Sequence, residues 1–185
     1  MVMKLYDSLS SNKQSLLKEG QTQVSMYVCG LTVYDAAHIG HLRCMLVFDL
    51  LVRVLRRSHL SVRFVRNITD VDDKIIHRAN HEGRDWRELV ETEIGFVRAH
   101  EQRLNLIQPD HEPRASEYIP QMVEMIRVLE EKGFAYVSDQ GDVCFSVDKY
   151  AEYGALSGQN LSELISGNRQ TGGKAEDVDF VLWKK

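Results

Sequence analysis

Apolar and polar positions alternate in blocks along this chain, and the blocks predict its elements. Met26-Tyr27-Val28 is a short β-favouring run that ends at Gly30. Cys44 to Leu55 is apolar on nearly every side, with Asp49 and Arg53 as exceptions. A helix apolar all round is expected to be buried. Arg56 and Arg57 mark its end, where positive charge suits the helix dipole. Val62, Phe64 and Val65 form the next strand and lead to Asn67-Ile68-Thr69-Asp70. Strand, helix, strand in this order predicts a βαβ unit with parallel strands. Both strand ends then open on one crevice, the usual ligand position in an α/β sheet.

Upstream, residues 3–25 read as a short strand, a polar turn at Ser10-Ser11-Asn12-Lys13, and a second extended piece covering the edge of the main sheet. Downstream, helices are expected over Val71–Asn80 and Asp85–Asn105, the latter with Trp86, Val90, Ile94, Val97 and Leu104 at helical spacing. Pro109 and Pro113 then interrupt the pattern. Another amphipathic helix carries Ile119, Met122, Val123, Ile126 and Leu129, with Pro120 tolerable only in its first turn. Gly133 stops it. Phe134 to Val147 predicts a hairpin around Asp139-Gln140-Gly141-Asp142. A short helix near Leu161–Ile165, a polar mobile stretch over Gly167–Glu176 and a last strand, Asp179–Trp183, complete the pattern. The expected organisation is an α/β, Rossmann-like parallel sheet over residues 1–113 and a smaller α+β insertion over 114–185.

Size and charge narrow the reading little. A chain of 185 residues can bury a core without disulfides. Its 23 basic and 27 acidic residues leave a net charge of −4, so no global basic field recruits nucleic acid. Three cysteines make no disulfide framework, which favours a reducing, cytoplasmic setting. No signal-like or membrane-spanning run is present in the sequence.

The candidate chemistry lies between residues 29 and 41. His38-Ile39-Gly40-His41 falls where a helix begins, and the positive end of its dipole favours an anion. Two imidazoles three positions apart are neighbours on a helix surface. Gly40 leaves room for a flat ring or a phosphate against the backbone. The pair could clamp a nucleotide triphosphate at its α-phosphate; two ordinary surface histidines and a turn glycine are the plain alternative. Cys29 sits at the strand terminus as a packing thiol, a nucleophile or a metal ligand. Cys44 and Cys144 read as packing residues. Asp70, Asp72 and Asp73 either cap the following helix or hold Mg²⁺.

Taken together, these residues resemble the amino-terminal part of the cysteinyl-tRNA synthetases, class I aminoacyl-tRNA synthetases. The resemblance rests on Met26-Tyr27-Val28-Cys29-Gly30, Thr32-Val33-Tyr34-Asp35, the signature His38-Ile39-Gly40-His41, the run Val65 to Lys74, Pro113-Arg114-Ala115 and Asp179 to Lys184, in family order. It implies activation of cysteine with ATP and Mg²⁺ to cysteinyl-adenylate, followed by transfer to tRNA(Cys), by a cytoplasmic, monomeric enzyme without a membrane role. It also implies that Cys29 is one ligand of a zinc ion that grips the substrate sulfur. His38, Gly40 and His41 match the ATP-binding signature, with both histidines in the catalytic role. Gly30, Thr32, Asn67 and Thr69 match the amino-acid and adenylate pocket. The family's further zinc ligands and its second, lysine-containing signature have no counterpart here. Cys44 stands where the family often has Thr, and Val178 or Asp177 where it often has Pro. The expectation is therefore a fragment, incomplete for activity alone. The alternatives are a cysteine ligase acting on an amino-sugar acceptor and a non-catalytic nucleotide- or RNA-binding remnant.

Overall fold

The computed structural model describes residues 3–158 and 178–185. By contacts the chain forms two compact units, Leu17–Ile119 and Met1–Leu16 with Pro120–Lys185. The expected helix near Leu161–Ile165 and the polar stretch to Glu176 lie outside the described residues.

The first unit is built on the predicted βαβ. Strand β3 (Gln23–Val28) pairs in parallel with β4 (Ser61–Arg66), Val28 standing opposite Arg66. Helix α1 (Ile39–Arg57) makes the crossover between them. The other edge of β4 is covered by an irregular segment: the Arg66 N–H donates to the His111 carbonyl and the Ile68 N–H to the Pro113 carbonyl, with parallel bridges Val65–His111 and Ile68–Arg114. Pro109 precedes this segment and Pro113 lies within it, which explains why it runs beside the sheet without becoming a full strand.

Helix α2 (Asp73–Glu82) starts on its N-cap, Asp72, whose carboxylate accepts the Lys74 N–H, and stops at Gly83 in the left-handed region. Helix α3 (Trp86–Arg103) is capped by Asp85, which accepts the N–H groups of Arg87 and Glu88. The two helices close a cluster of Val33, Ile68, Ile75, Ala79, Leu89, Val90 and Ile94. The acidic cluster therefore divides. Asp72 caps, while Asp70 is buried and accepts the backbone N–H and the hydroxyl of Ser116. The Mg²⁺ reading of the three acids is not supported: no group of three or more metal-binding side chains stands together among the described residues.

Two expectations are corrected. Among the described residues, strands β1 (Lys4–Asp7) and β2 (Asn12–Ser15) form an antiparallel sheet of their own and do not extend the parallel sheet. Strand β2 is polar throughout, and Leu5 and Tyr6 of β1 are exposed, so the pair buries no apolar face. Helix α1 is not buried all round. Met45, Asp49, Val52 and Leu55 face inward, whereas Leu46, Val47, Leu50 and Val54 are exposed.

The second unit holds α4 (Ile119–Glu131), with Pro120 in its first turn, and a three-stranded antiparallel sheet. There β5 (Ala135–Val137) and β6 (Val143–Phe145) form the predicted hairpin, and β7 (Phe180–Trp183) adds to β6. Gly141 takes a positive φ in the turn. Phe145 packs against Phe134, Tyr150, Tyr153 and Phe180. Asp179 is fully buried, and its carboxylate accepts the Tyr136 hydroxyl and the Val147 N–H, which pins β7 to its neighbours.

Candidate active site

The two strand ends meet as the βαβ reading requires. Beyond β3 the chain passes through Cys29 and Gly30, and the Gly30 N–H donates to the side-chain oxygen of Asn67 at 2.7 Å. The Asn67 amide nitrogen donates to the Thr69 hydroxyl at 3.2 Å. Thr32 and Thr69 then form a parallel bridge, closed by the Thr69 N–H on the Leu31 carbonyl and the Val33 N–H on the Thr69 carbonyl. This approach is why residue 30 is glycine: a β-carbon there would lie 1.6 Å from the Asn67 carbonyl oxygen. Asn67 thus ties one strand end to the other.

A crevice opens over this junction, and Cys29, Gly30, His41 and Cys44 all line it. Cys29 is exposed, which removes the buried packing role for its thiol. Cys44 is exposed as well, contrary to its reading as a packing residue; Cys144 is buried as expected. The apolar floor of Met45, Phe48, Phe64, Leu106 and Ile107 has no motif to announce it. One residue did signal it. Asp49, the lone acid of α1, is buried, and its carboxylate accepts the Ile107 N–H at 2.7 Å and the Arg53 guanidinium at 2.7 Å. Burial alone would raise its pKa, but those two partners outweigh it and hold the carboxyl below its usual value. Asp49 so fixes the 106–107 wall against the helix.

His38 is the N-cap of α1. Its Nδ1 accepts the Gly40 N–H at 3.1 Å, and Nδ1 of His41 accepts the His38 N–H at 3.2 Å. The rings stack 3.7 Å apart with 19° between planes. Gly40 leaves space for the His38 ring itself, since a β-carbon there would meet that ring at 2.9 Å. The space expected for a ligand is taken by the capping histidine. Because both Nδ1 atoms accept, each neutral ring carries its proton on Nε2. Both Nε2–H groups are then free of this reciprocal cap. Burial, and secondarily electrostatic repulsion from the stacked His38 ring, lowers the His41 pKa, which favours the neutral ring.

Under the crevice lies a charged layer. Arg66, at the end of β4, is buried and pairs with Glu101 of α3 and with Glu112 at 2.7 Å. Arg98 bonds both acids in turn. Two cations and two anions balance, so their burial leaves no net charge. None of these four residues was singled out from the sequence.

The family model for the class I (C) tRNA synthetase catalytic domain matches residues 15–185. A cysteine–tRNA ligase from Shewanella sediminis is 49% identical over 185 residues, 99% of this chain and 40% of that protein. Those from Cupriavidus necator and Legionella pneumophila are each 46% identical, across 99% and 100% of this chain and 40% and 41% of theirs. The chain thus spans about 40% of the length of these relatives. Among solved structures, a Campylobacter jejuni protein provisionally assigned as an arginyl tRNA synthetase superposes with a TM-score of 0.52 over 74% of this chain and 40% of its own, at 13% identity, a likeness of fold alone.

Proposed function

The chain belongs to the class I (C) tRNA synthetase catalytic-domain family, and from that premise we propose that it is the amino-terminal portion of a cysteine–tRNA ligase. The observation that carries the reading is one crevice lined by Cys29 and His41, beside a stacked histidine pair at the start of α1. Cysteine and ATP are the proposed substrates, with Mg²⁺ accompanying the nucleotide and tRNA(Cys) as acceptor. The substrate carboxylate attacks the α-phosphorus, the bond to the β-phosphate oxygen breaks, and pyrophosphate leaves. Nε2–H donors of His38 and His41 meet the charge that grows on the phosphate oxygens. Gly30 and Thr32 shape the amino-acid side of the pocket. Asn67 and Thr69 act there through the clamp on Gly30 as well as through any contact of their own.

Zinc does not fit the described residues by themselves. Cys29 is one candidate ligand, whereas zinc sites take three or four protein ligands. The protein is proposed to work in the cytoplasm as a monomer. No helix among the described residues is long and apolar enough to cross a membrane. Residues 114–185 are proposed as the start of an insertion into the catalytic domain.

The test is cysteine-dependent exchange of pyrophosphate into ATP. The 185-residue chain alone is expected to show little. A chimera, in which these residues replace the matched portion of the Shewanella sediminis relative, is expected to exchange robustly. His38→Ala and His41→Ala should each lower its rate about 100-fold. Unchanged exchange in both variants would overturn the histidine assignment. Transfer to an amino sugar but not to tRNA would favour the other acceptor.

A further inference from the structure

The loop that delivers the chain to α1 is held from outside its own backbone. Val33 is buried in the cluster closed by α2 and α3, and its N–H donates to the Thr69 carbonyl. From there Tyr34, Asp35, Ala36 and Ala37 lead to the cap at His38. Among the described residues, no backbone–backbone hydrogen bond holds any of these four. Side chains of α2 hold the loop instead. Arg78 Nη1 donates to the Tyr34 carbonyl and to the Asp35 carboxylate, both at 2.6 Å. Lys74, one turn earlier on the same face, lies 5.3 Å over the Tyr34 ring. Asp35 also accepts the Ala36 N–H at 2.7 Å, which carries the grip one residue further. His38 follows Asp35 by three residues, at most about 11 Å of chain. Resting on the ligase reading for what the histidines do, we propose that Arg78 is a positioning residue: by fixing Tyr34 and Asp35 to α2, it sets where the His38–His41 pair stands at the mouth of α1.

The whole guanidinium is committed to this arrangement. Its Nε donates to Glu82 at 2.7 Å, one turn further along α2. That bond orients the fork and leaves Nη1 for the loop. Nη2 faces the buried Glu93 of α3 at 4.0 Å. An ordinary pair on a helix surface would need Glu82 alone. Here every edge of the fork meets protein, so none is left to take a phosphate. Arg78 therefore acts through the loop and not on the nucleotide. A lysine at this position would keep the charge that faces Glu93. It would lose the planar fork, and a point donor cannot hold Glu82, Tyr34 and Asp35 in the same geometry.

The assignment is tested on the 185-residue chain and on the chimera. In the chain, Arg78→Lys is expected to move the ring-proton NMR resonances of both His38 and His41 and to weaken the NOE between the stacked rings. Asp35→Asn should do the same to a smaller extent, since its side-chain oxygen still accepts the Ala36 N–H. That exposed substitution also reads the rings should Arg78→Lys fail to fold. Glu82→Gln removes the partner on α2, keeps the loop bonds and should move neither ring. In the chimera, Arg78→Lys should lower kcat for exchange about 10-fold, with the KM for ATP changed less than about twofold. In a His41→Ala background it should cost no more than about 3-fold, because one of the two rings it places is gone. A full 10-fold loss there, as a general loss of folded enzyme would give, would overturn the proposal. So would an unchanged kcat, unmoved rings, or rings moved as much by Glu82→Gln. A wild-type chimera without exchange removes the ligase reading, and the rings alone then decide for or against Arg78. An active chimera with unmoved rings removes Arg78 and keeps the ligase reading.

Discussion

The crevice joins two strand ends built in opposite ways. At the end of β3 the chemistry is exposed: Cys29 lies open, and His38 and His41 stack at the mouth of α1. At the end of β4 almost everything is committed. Arg66 is buried between Glu101 and Glu112, Asn67 spends its amide on Gly30 and Thr69, and Asp70 holds Ser116. One end presents groups and the other holds the presenting end in place. Reactive side chains can stay accessible because the strand beside them is fixed by partners far along the chain.

If β4 is the rigid partner, the largest effect should come from its buried ion layer. Arg66→Met leaves Glu101, 1% exposed, with only Arg98 to balance it. The expected loss is about 3–5 kcal/mol, read from urea denaturation. Arg66→Met with Glu101→Leu should recover much of it, since a matched apolar pair replaces a buried ion pair at little cost. A single variant as stable as the parent would mean that water reaches this layer and that β4 is no more fixed than β3.

Gly30→Ala comes next. The new methyl would collide with the backbone carbonyl of Asn67, which no rotamer change relieves. Parting the strand ends should cost about 1–3 kcal/mol and lower the chimera's exchange rate more than Asn67→Ala does, because Asn67→Ala only releases the clamp. Equal, small effects would show that the junction is not the shared hinge of the two ends.

How legible each end was in the sequence follows from the same contrast. The β3 end is local. Cys29, Gly30, His38 and His41 lie within thirteen positions, and the bonds of the histidine cap join residues two or three apart. The βαβ order, an acid capping the head of α2, the stop at Gly133 and the hairpin turn are local too, and all were read as patterns; the cap Asp85 and the stop at Gly83 are as local but were not singled out. The β4 end is not. Arg66 meets residues 35 and 46 positions away, and Asp49 meets Ile107 58 positions away. No spacing rule links such partners. Asp49 alone gave a hint, as an acid inside an apolar helix. The misread outer face of α1 has the same origin: periodicity reports that a face is apolar, not which part of a protein covers it. Cys44 was misjudged because its neighbours in sequence are apolar while its neighbours in space line a crevice.

A smaller effect separates helix caps from the site. Asp72→Ala removes the side chain that accepts the Lys74 N–H and should cost about 1 kcal/mol. Chimera activity should stay near the parent's. A loss of activity much greater than the loss of stability would return Asp72 to the metal-binding reading.

The least effect on stability, and the sharpest test of the exposed end, is the titration of His41. Its folded pKa lies below the ordinary value of 6.5 because burial and the neighbouring His38 disfavour the cation. The unfolded chain therefore binds more protons as pH falls through that ordinary value, and the stability held at neutral pH is lost until the folded pKa has been passed. His41→Gln should flatten that segment of the stability curve between pH 7.5 and 5. An anion at the mouth of α1 works the other way, stabilising the cation and raising the pKa. Titrating the His41 ring proton by NMR with and without ATP is expected to show an upward displacement when ATP is present. A ring that titrates unmoved by ATP, while His38 shifts, would mean that His41 supports the cap and His38 alone faces the phosphate. The reciprocal Nδ1 bonds make that outcome decisive, because they give the two rings the same tautomer and leave position as the only difference between them.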